Sequence, residues 1–187
     1  VYETMTQEER LGLAKALYRQ SGFSAENPLR LTLRYNTSTL QRRIAAAVGA
    51  MWREYLGVVT ELYNEEWTVF INSRKQRRNT EIVRGGWIAD LADPVSFLEP
   101  FASDSHLNYT GFSDQQFDQW LRRAANAKNP FQRGDALTRA EARLLSQQAI
   151  IPIYYYVSRH LVSPKVQGFV DNVMDIHLSR YLSVAGQ

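Results

Sequence analysis

The chain contains no cysteine, which excludes disulfide scaffolds, zinc thiolate sites and cysteine nucleophiles. That absence fits an exported bacterial protein. No run approaches the roughly 20 apolar residues that a membrane-spanning helix needs. No signal peptide opens the chain, which enters a charged helix soon after Val1; a mature chain or an excised fragment is expected. Only three histidines occur, His106, His160 and His177. They form no i, i+4 pair and sit near no clustered carboxylates, so no metal site is predicted. No serine has a nucleophile-elbow context, and the "GGW" at 85–87 lacks the Lys or Ser of a phosphate loop. Neither a catalytic set nor a cofactor is expected.

What is present is ordinary globular composition: 187 residues, 44% hydrophobic and 22% charged. A net charge of +3 is mild for this length and does not itself call for nucleic acid. Thr6 and Glu9 have capping-box spacing, and Leu11, Ala14, Leu17 and Tyr18 then fall on one helix face that stops near Gly22. "LRLTLRY" at 29–35 alternates as a half-buried strand does. "NTST" can cap a second helix ending near Gly57, and "VVTELY" at 58–63 is a second strand. A third helix is predicted from Glu65 to about Gln76, with Trp67, Phe70 and Ile71 on its buried side. "EIVRGGW" returns as a strand. Asp93 and Pro94 open a short helix, and Ser113 caps another bearing Phe117, Trp120, Leu121 and Ala124. A sixth runs from about Phe131 to Gln147, followed by "AIIPIYYYV" as a last strand. Strands alternating with helices predict an α/β domain. The final 30 residues lack a clean period and look like a segment in need of a partner surface.

The dense cations of "RKQRR" at 74–78 read best as a solvated helix end, where they complement the dipole. Asp93 has a capping duty before Pro94. Asp90 has none, which leaves it a turn residue or a counter-charge for a cationic group; together with Asp93 it could also form a hydrolase pair. Asn36 and Asn108 open glycosylation sequons, a short and often accidental pattern. The three tyrosines of "PIYYYV" put rings on both faces of an extended chain, so either a core strand or a cleft wall is compatible with them. "RGGWIADLADP" at 84–94 is the oddest stretch, with glycines and acids that strand interiors disfavour.

Three segments, "RYNTSTLQRRIAAAVGAMWREYLGVVTELYNEEWTVFINSR", "VRGGWIADLADPVSFLEPF" and "AIIPIYYYVSRHLVSPKVQGF", resemble the periplasmic oligopeptide-binding proteins of the family 5 extracellular solute-binding proteins. The most specific piece is Gly86-Trp87-x-Ala89-Asp90 with Pro94, Ser96 and Phe97. The resemblance implies a lobe of the type II periplasmic-binding-protein fold, a mixed sheet flanked by helices. Residues 1–157 would be the C-terminal part of the ligand-binding second lobe, and 158–187 a return segment completing the missing first lobe. It also implies short peptides as ligands, an inner-membrane ABC permease as partner, and a periplasmic or lipid-anchored extracytoplasmic location.

The resemblance further implies that an extended peptide lies on the edge formed by Gly86, Trp87 and Ile88, exchanging backbone hydrogen bonds, with Gly85 and Gly86 admitting a second backbone. Asp90 would hold the peptide's terminal ammonium. Trp67 and Trp87 would wall side-chain pockets, and Arg74 and Arg84 would meet the ligand's carboxylate. Tyr156 and Asn36 would line the cleft. Gln41 stands where a relative has histidine, and one extra residue lies within "KQRRNT", so peptide length and the loop beside Arg74 depart from the family pattern. The alternative on the same fold is a dedicated receptor for a signalling or murein peptide, a nickel chelate or a sugar. Competition with unrelated tripeptides separates the two. A fragment offering one side of the cleft should bind weakly, and its exposed apolar tail should favour self-association.

Overall fold

The computed structural model describes residues 4–77, 81–172 and 174–186. The chain divides into two compact units, Val1–Gly86 and Trp87–Gln187, and each is built by its own local logic.

The first unit opens with α1, Gln7–Gln20. The expected capping box is formed: Thr6 Oγ1 accepts the Glu9 N–H at 3.2 Å, and Glu9 Oε2 accepts the Thr6 N–H at 2.7 Å. Three parallel strands follow, β1 (Arg30–Asn36), β2 (Val59–Glu65) and β3 (Ile82–Val83), in the order β2-β1-β3. Parallel neighbours need a crossover, and α2, Thr39–Leu56, supplies the one between β1 and β2. It ends at Gly57, whose φ of 75° lies in the left-handed region that lets the chain leave a helix without a Cβ penalty. The alternation read in β1 holds. Leu33 and Tyr35 are buried and, with Ala45 of α2, form the core against Val48 and Ile82.

The opposite face of β1 carries Arg34. Its guanidinium meets Glu65 Oε1 at 2.5 Å and lies 4.5 Å from the centre of the Tyr63 ring. The same carboxylate oxygen accepts the Ser73 hydroxyl of α3, Trp67–Lys75, at 2.9 Å. Helix α3 begins at Trp67, because Glu66 caps it with a side chain that accepts from the Thr68 and Val69 N–H groups. Phe70 is fully buried, but Trp67 is 52% exposed, so the expectation that both share a buried side is corrected. The two rings are neighbours three positions apart, 6.2 Å between centres, but Trp67 stands at the first position of the helix and stays half exposed.

The strand expected over "EIVRGGW" shortens to Ile82–Val83. Arg84 N–H still donates to the Arg34 carbonyl at 2.8 Å, but beyond Asn36 the Thr37 N–H turns to the Glu65 carbonyl. Past Arg84 no further backbone hydrogen bond to β1 forms among the described residues, although β1 itself runs on to Asn36.

In the second unit, α4 (Val95–Leu98) precedes the helical hairpin of α5 (Gln115–Ala125) and α6 (Pro130–Ser146). Leu98, Phe117, Ala124, Ala136, Leu137, Ala140 and Leu144 make its core. The cap of α5 is Asp114 rather than Ser113: its Oδ1 accepts the Phe117 N–H at 2.8 Å. Asp114 also binds Arg143, from the last turn of α6, through Oδ2 at 2.6 and 3.0 Å. This second bond favours the acid over the serine and fixes the two helices antiparallel.

Arg143 first, then the Phe117 N–H, hold the Asp114 carboxyl below its usual range. The folded chain therefore binds this proton less readily than the unfolded chain. The contribution is complete above the ordinary carboxylate pKa of about 4 and is lost as pH falls through the depressed folded value. Urea midpoints of the wild type and Asp114→Asn should differ most above about pH 5 and draw together as pH falls below the ordinary carboxylate pKa. A gap that stays constant across that range would refute the pairing.

The loop at 103–112 is organised by Asn108, 4% exposed. Its amide donates to the Ala102 and Phe112 carbonyls, and its oxygen accepts from Thr110 and Gly111. It serves as an internal tie, not an accessible sequon.

The last strand expected at "AIIPIYYYV" is not formed. Among the described residues none pairs with it, and strands exist only by pairing. Tyr155 is 93% and Leu161 105% exposed. The chain ends instead in a short antiparallel pair, β4 (Val166–Gln167) with β5 (Ser183–Val184). No helix among the described residues is long and apolar enough to cross a membrane.

Candidate functional site

Ligands of open parallel sheets bind outside the carboxyl ends of the strands, where neighbouring connections leave in opposite directions. In the first unit that place lies beyond β1 and β3, since β1 connects to β2 on one side while β3 flanks the other. Asn36 ends β1 and Arg84 follows β3 directly, and Arg84 Nη1 stands 3.5 Å from Asn36 Oδ1. Among the described residues no carboxylate pairs with Arg84. Gly86 lies beneath the same guanidinium, because a Cβ there would stand 2.9 Å from Arg84 Nη2, whereas a Cβ on Gly85 would meet nothing within 4 Å. Neither glycine has a positive φ. What they offer is missing bulk, not an unusual turn.

Trp67, at the start of α3, presents an exposed ring 6.2 Å from that of Phe70. Arg74 lies over the other partner of that ring, its guanidinium carbon 5.6 Å from the centre of Phe70. Arg78 and the inserted loop at 78–80 lie outside the described residues. Gln41 is buried in α2, 5% exposed.

In the second unit Trp87 is 36% and Ile88 77% exposed, and Tyr156 is 59% exposed with its ring 5.6 Å from that of Tyr154. Residues two apart on an extended chain share a side, as these rings do. Among the described residues no hydrogen bond engages the backbone of residues 85–90, and nothing partners the Asp90 carboxylate. Asp93 is different. Its Oδ1 accepts the Val95 N–H and the Arg133 guanidinium, each at 2.8 Å. Arg133 first, then that N–H, hold its carboxyl below the usual range. Asp93 is thus a helix cap with a structural ion pair, and the hydrolase pair it would make with Asp90 is not supported.

The reading of the histidines as scattered fails for two of them. His160 and His177 both direct Nε2 at Asp175 Oδ1. Separations of 15 and 2 residues along an irregular tail carry no periodic signal that could have disclosed this.

The chain resembles known proteins over almost all its length. It is 38% identical over 164 residues to the periplasmic oligopeptide-binding protein OppA of Salmonella typhimurium, covering 88% of this chain and 30% of that protein. It is 35% identical over 184 residues to the periplasmic murein peptide-binding protein MppA of Escherichia coli, covering 98% and 34%. The solved structure of the E. coli murein tripeptide binding protein MppA superposes with a TM-score of 0.89 at 35% identity, over 98% of this chain and 36% of that one. Haemophilus influenzae OppA in complex with RPPGFSPFR superposes equally well, with a TM-score of 0.89 at 29% identity over the same shares. The chain spans about a third of the length of the curated relatives it matches. Those relatives are solute-binding proteins, not enzymes, and the fold is the mixed helix-and-sheet lobe of that type. The sequence profile of the bacterial extracellular solute-binding proteins, family 5 (middle part), matches residues 2–109, and the chain belongs to that family.

Proposed function

We propose that this chain is the C-terminal part of the substrate-binding component of a peptide ABC importer. Residues 1–157 belong to the ligand-binding second lobe and 158–187 to the return segment. The observation that carries this reading is the run at 85–90, whose backbone is unpaired among the described residues and which is bounded by Arg84 and Asp90. Unpaired N–H and C=O groups on an extended run suit an added strand, which gives affinity for any sequence. The two charges suit the two ends of a zwitterion. Asp90 holds the peptide's ammonium, and Arg74 and Arg84 receive its carboxylate through their planar forks. Trp67, Trp87, Ile88 and Tyr156 give apolar walls, and Asn36 a polar one. The permease partner and the extracytoplasmic location, periplasmic or lipid-anchored, follow from the same reading.

A second reading, a receptor dedicated to a murein peptide, is suggested by the 35% identity over 184 residues to MppA. Both readings use Asp90 on a free amine. Native mass spectrometry of the complete protein, purified without refolding, distinguishes them. Mixed masses of peptides two to five residues long are expected for the importer, and one recurrent mass for the dedicated receptor. A protein that is empty and also ignores added tripeptides overturns both.

A further inference from the structure

We propose a divalent transition-metal site at His160, Asp175 and His177, in the second unit, made of two imidazoles and one carboxylate. The three ligand atoms lie within 4.8 Å of one another. His160 Nε2 is 2.6 Å and His177 Nε2 3.1 Å from the same oxygen, Asp175 Oδ1. Around a tetrahedral zinc with bonds of about 2.0–2.2 Å, donors stand roughly 3.4 Å apart. Both separations from Asp175 Oδ1 fall somewhat short of that value, so a small opening of the cluster seats an ion.

The rings are held in place by their surroundings. Phe169 stacks on His177 at 3.9 Å and 13°, and meets His160 edge-on at 5.3 Å. Gly168, at φ 82°, runs so close to the turn before β5 that a Cβ would stand 2.0 Å from the Tyr181 carbonyl, which fixes where Phe169 emerges. Asp175 is set at φ 53° in a turn whose Met174 and Ile176 N–H groups donate to Asn172 Oδ1.

The donor set decides the ion. Two imidazoles with one carboxylate suit zinc, nickel, copper or ferrous iron and not calcium or magnesium, which take oxygen ligands. Each imidazole binds as the neutral ring through the Nε2 lone pair, with its proton kept on Nδ1. The His160 side chain is 35% and the Asp175 side chain 40% exposed, so a coordination position stays open to water or an outside ligand. The site ties residue 160 to residues 175–177, joining both ends of the irregular tail. It is independent of the peptide reading, because none of its residues belongs to the run at 84–90.

Zinc titration of the chain by calorimetry, repeated on His160→Gln, His177→Gln and the control His106→Gln, tests the proposal. One ion per chain is expected at ~10 μM or tighter. Each cluster variant should lose at least ~10- to 100-fold, a loss no smaller than second-shell changes cause, while the control keeps wild-type affinity. Cobalt substituted for zinc should show ligand-field bands that vanish in the same two variants. Circular dichroism identical to the wild type excludes unfolding as the cause. Absent or millimolar binding, or equal binding by the cluster variants and the control, overturns the site and leaves the three residues a hydrogen-bonded cluster.

Discussion

Asp90→Asn in the complete protein should weaken binding of free-amine tripeptides by roughly 10- to 150-fold, the equivalent of the 1.5–3 kcal/mol that hydrogen bonds to charged groups contribute. The same change should leave N-acetylated tripeptides nearly unaffected. Asparagine keeps the size and an acceptor oxygen, so the loss isolates charge. The position is favourable for such a test because no group among the described residues depends on Asp90. Its replacement orphans nothing, and urea stability should stay within about 0.5 kcal/mol of the wild type. Calorimetry with matched peptide pairs reads the result directly. Equal losses for both peptides would remove Asp90 from the ammonium site while leaving strand addition intact.

Phe117→Ala should destabilise the second unit by about 3–5 kcal/mol, the sum of lost transfer energy and the cavity left behind. Phe117 is fully buried and meets Phe112 edge-to-face at 5.4 Å, beneath Leu98 and the small residues of α6. Ala136 and Ala140 let α6 approach closely, so little nearby can shift to fill the space. Phe131→Ala offers a comparison on the same hairpin, because Phe131 is 86% exposed. That change should cost no more than about 0.5 kcal/mol. Urea unfolding followed by tryptophan fluorescence suits the test, since Trp120 packs against this core. Similar midpoints for the two variants would contradict the packing of α5 on α6.

Much of the chain was legible from its residues because helix ends obey rules that act within a few positions. Thr6 and Glu9 satisfy each other across three residues. Gly57 stops α2 because a left-handed φ is needed there. Asp93 was separable from Asp90 because a cap is defined by the N–H groups just after it. The alternation of β1 likewise marked its buried face. The candidate run at 84–90 was conspicuous for the same local reason, since its glycines and acid contradict a strand interior.

The failures lie where a residue's partner is distant in sequence. Nothing within four residues of Asp114 predicts Arg143, 29 positions away, yet that guanidinium helps make it, and not Ser113, the cap of α5. The apolar run near 150–157 has every local mark of a strand, but an edge becomes a strand only when another lies beside it. Asn108 looks like a sequon until four hydrogen bonds enclose it. The sequence alone determined where helices begin and end, which strand face is apolar and which stretch is anomalous, because those depend on φ, capping and side-chain period. Only the tertiary structure decided which charges are paired, which aromatic rings are exposed and that His160 meets His177 across Asp175. Those depend on loop closure, which brings together groups that no local rule relates.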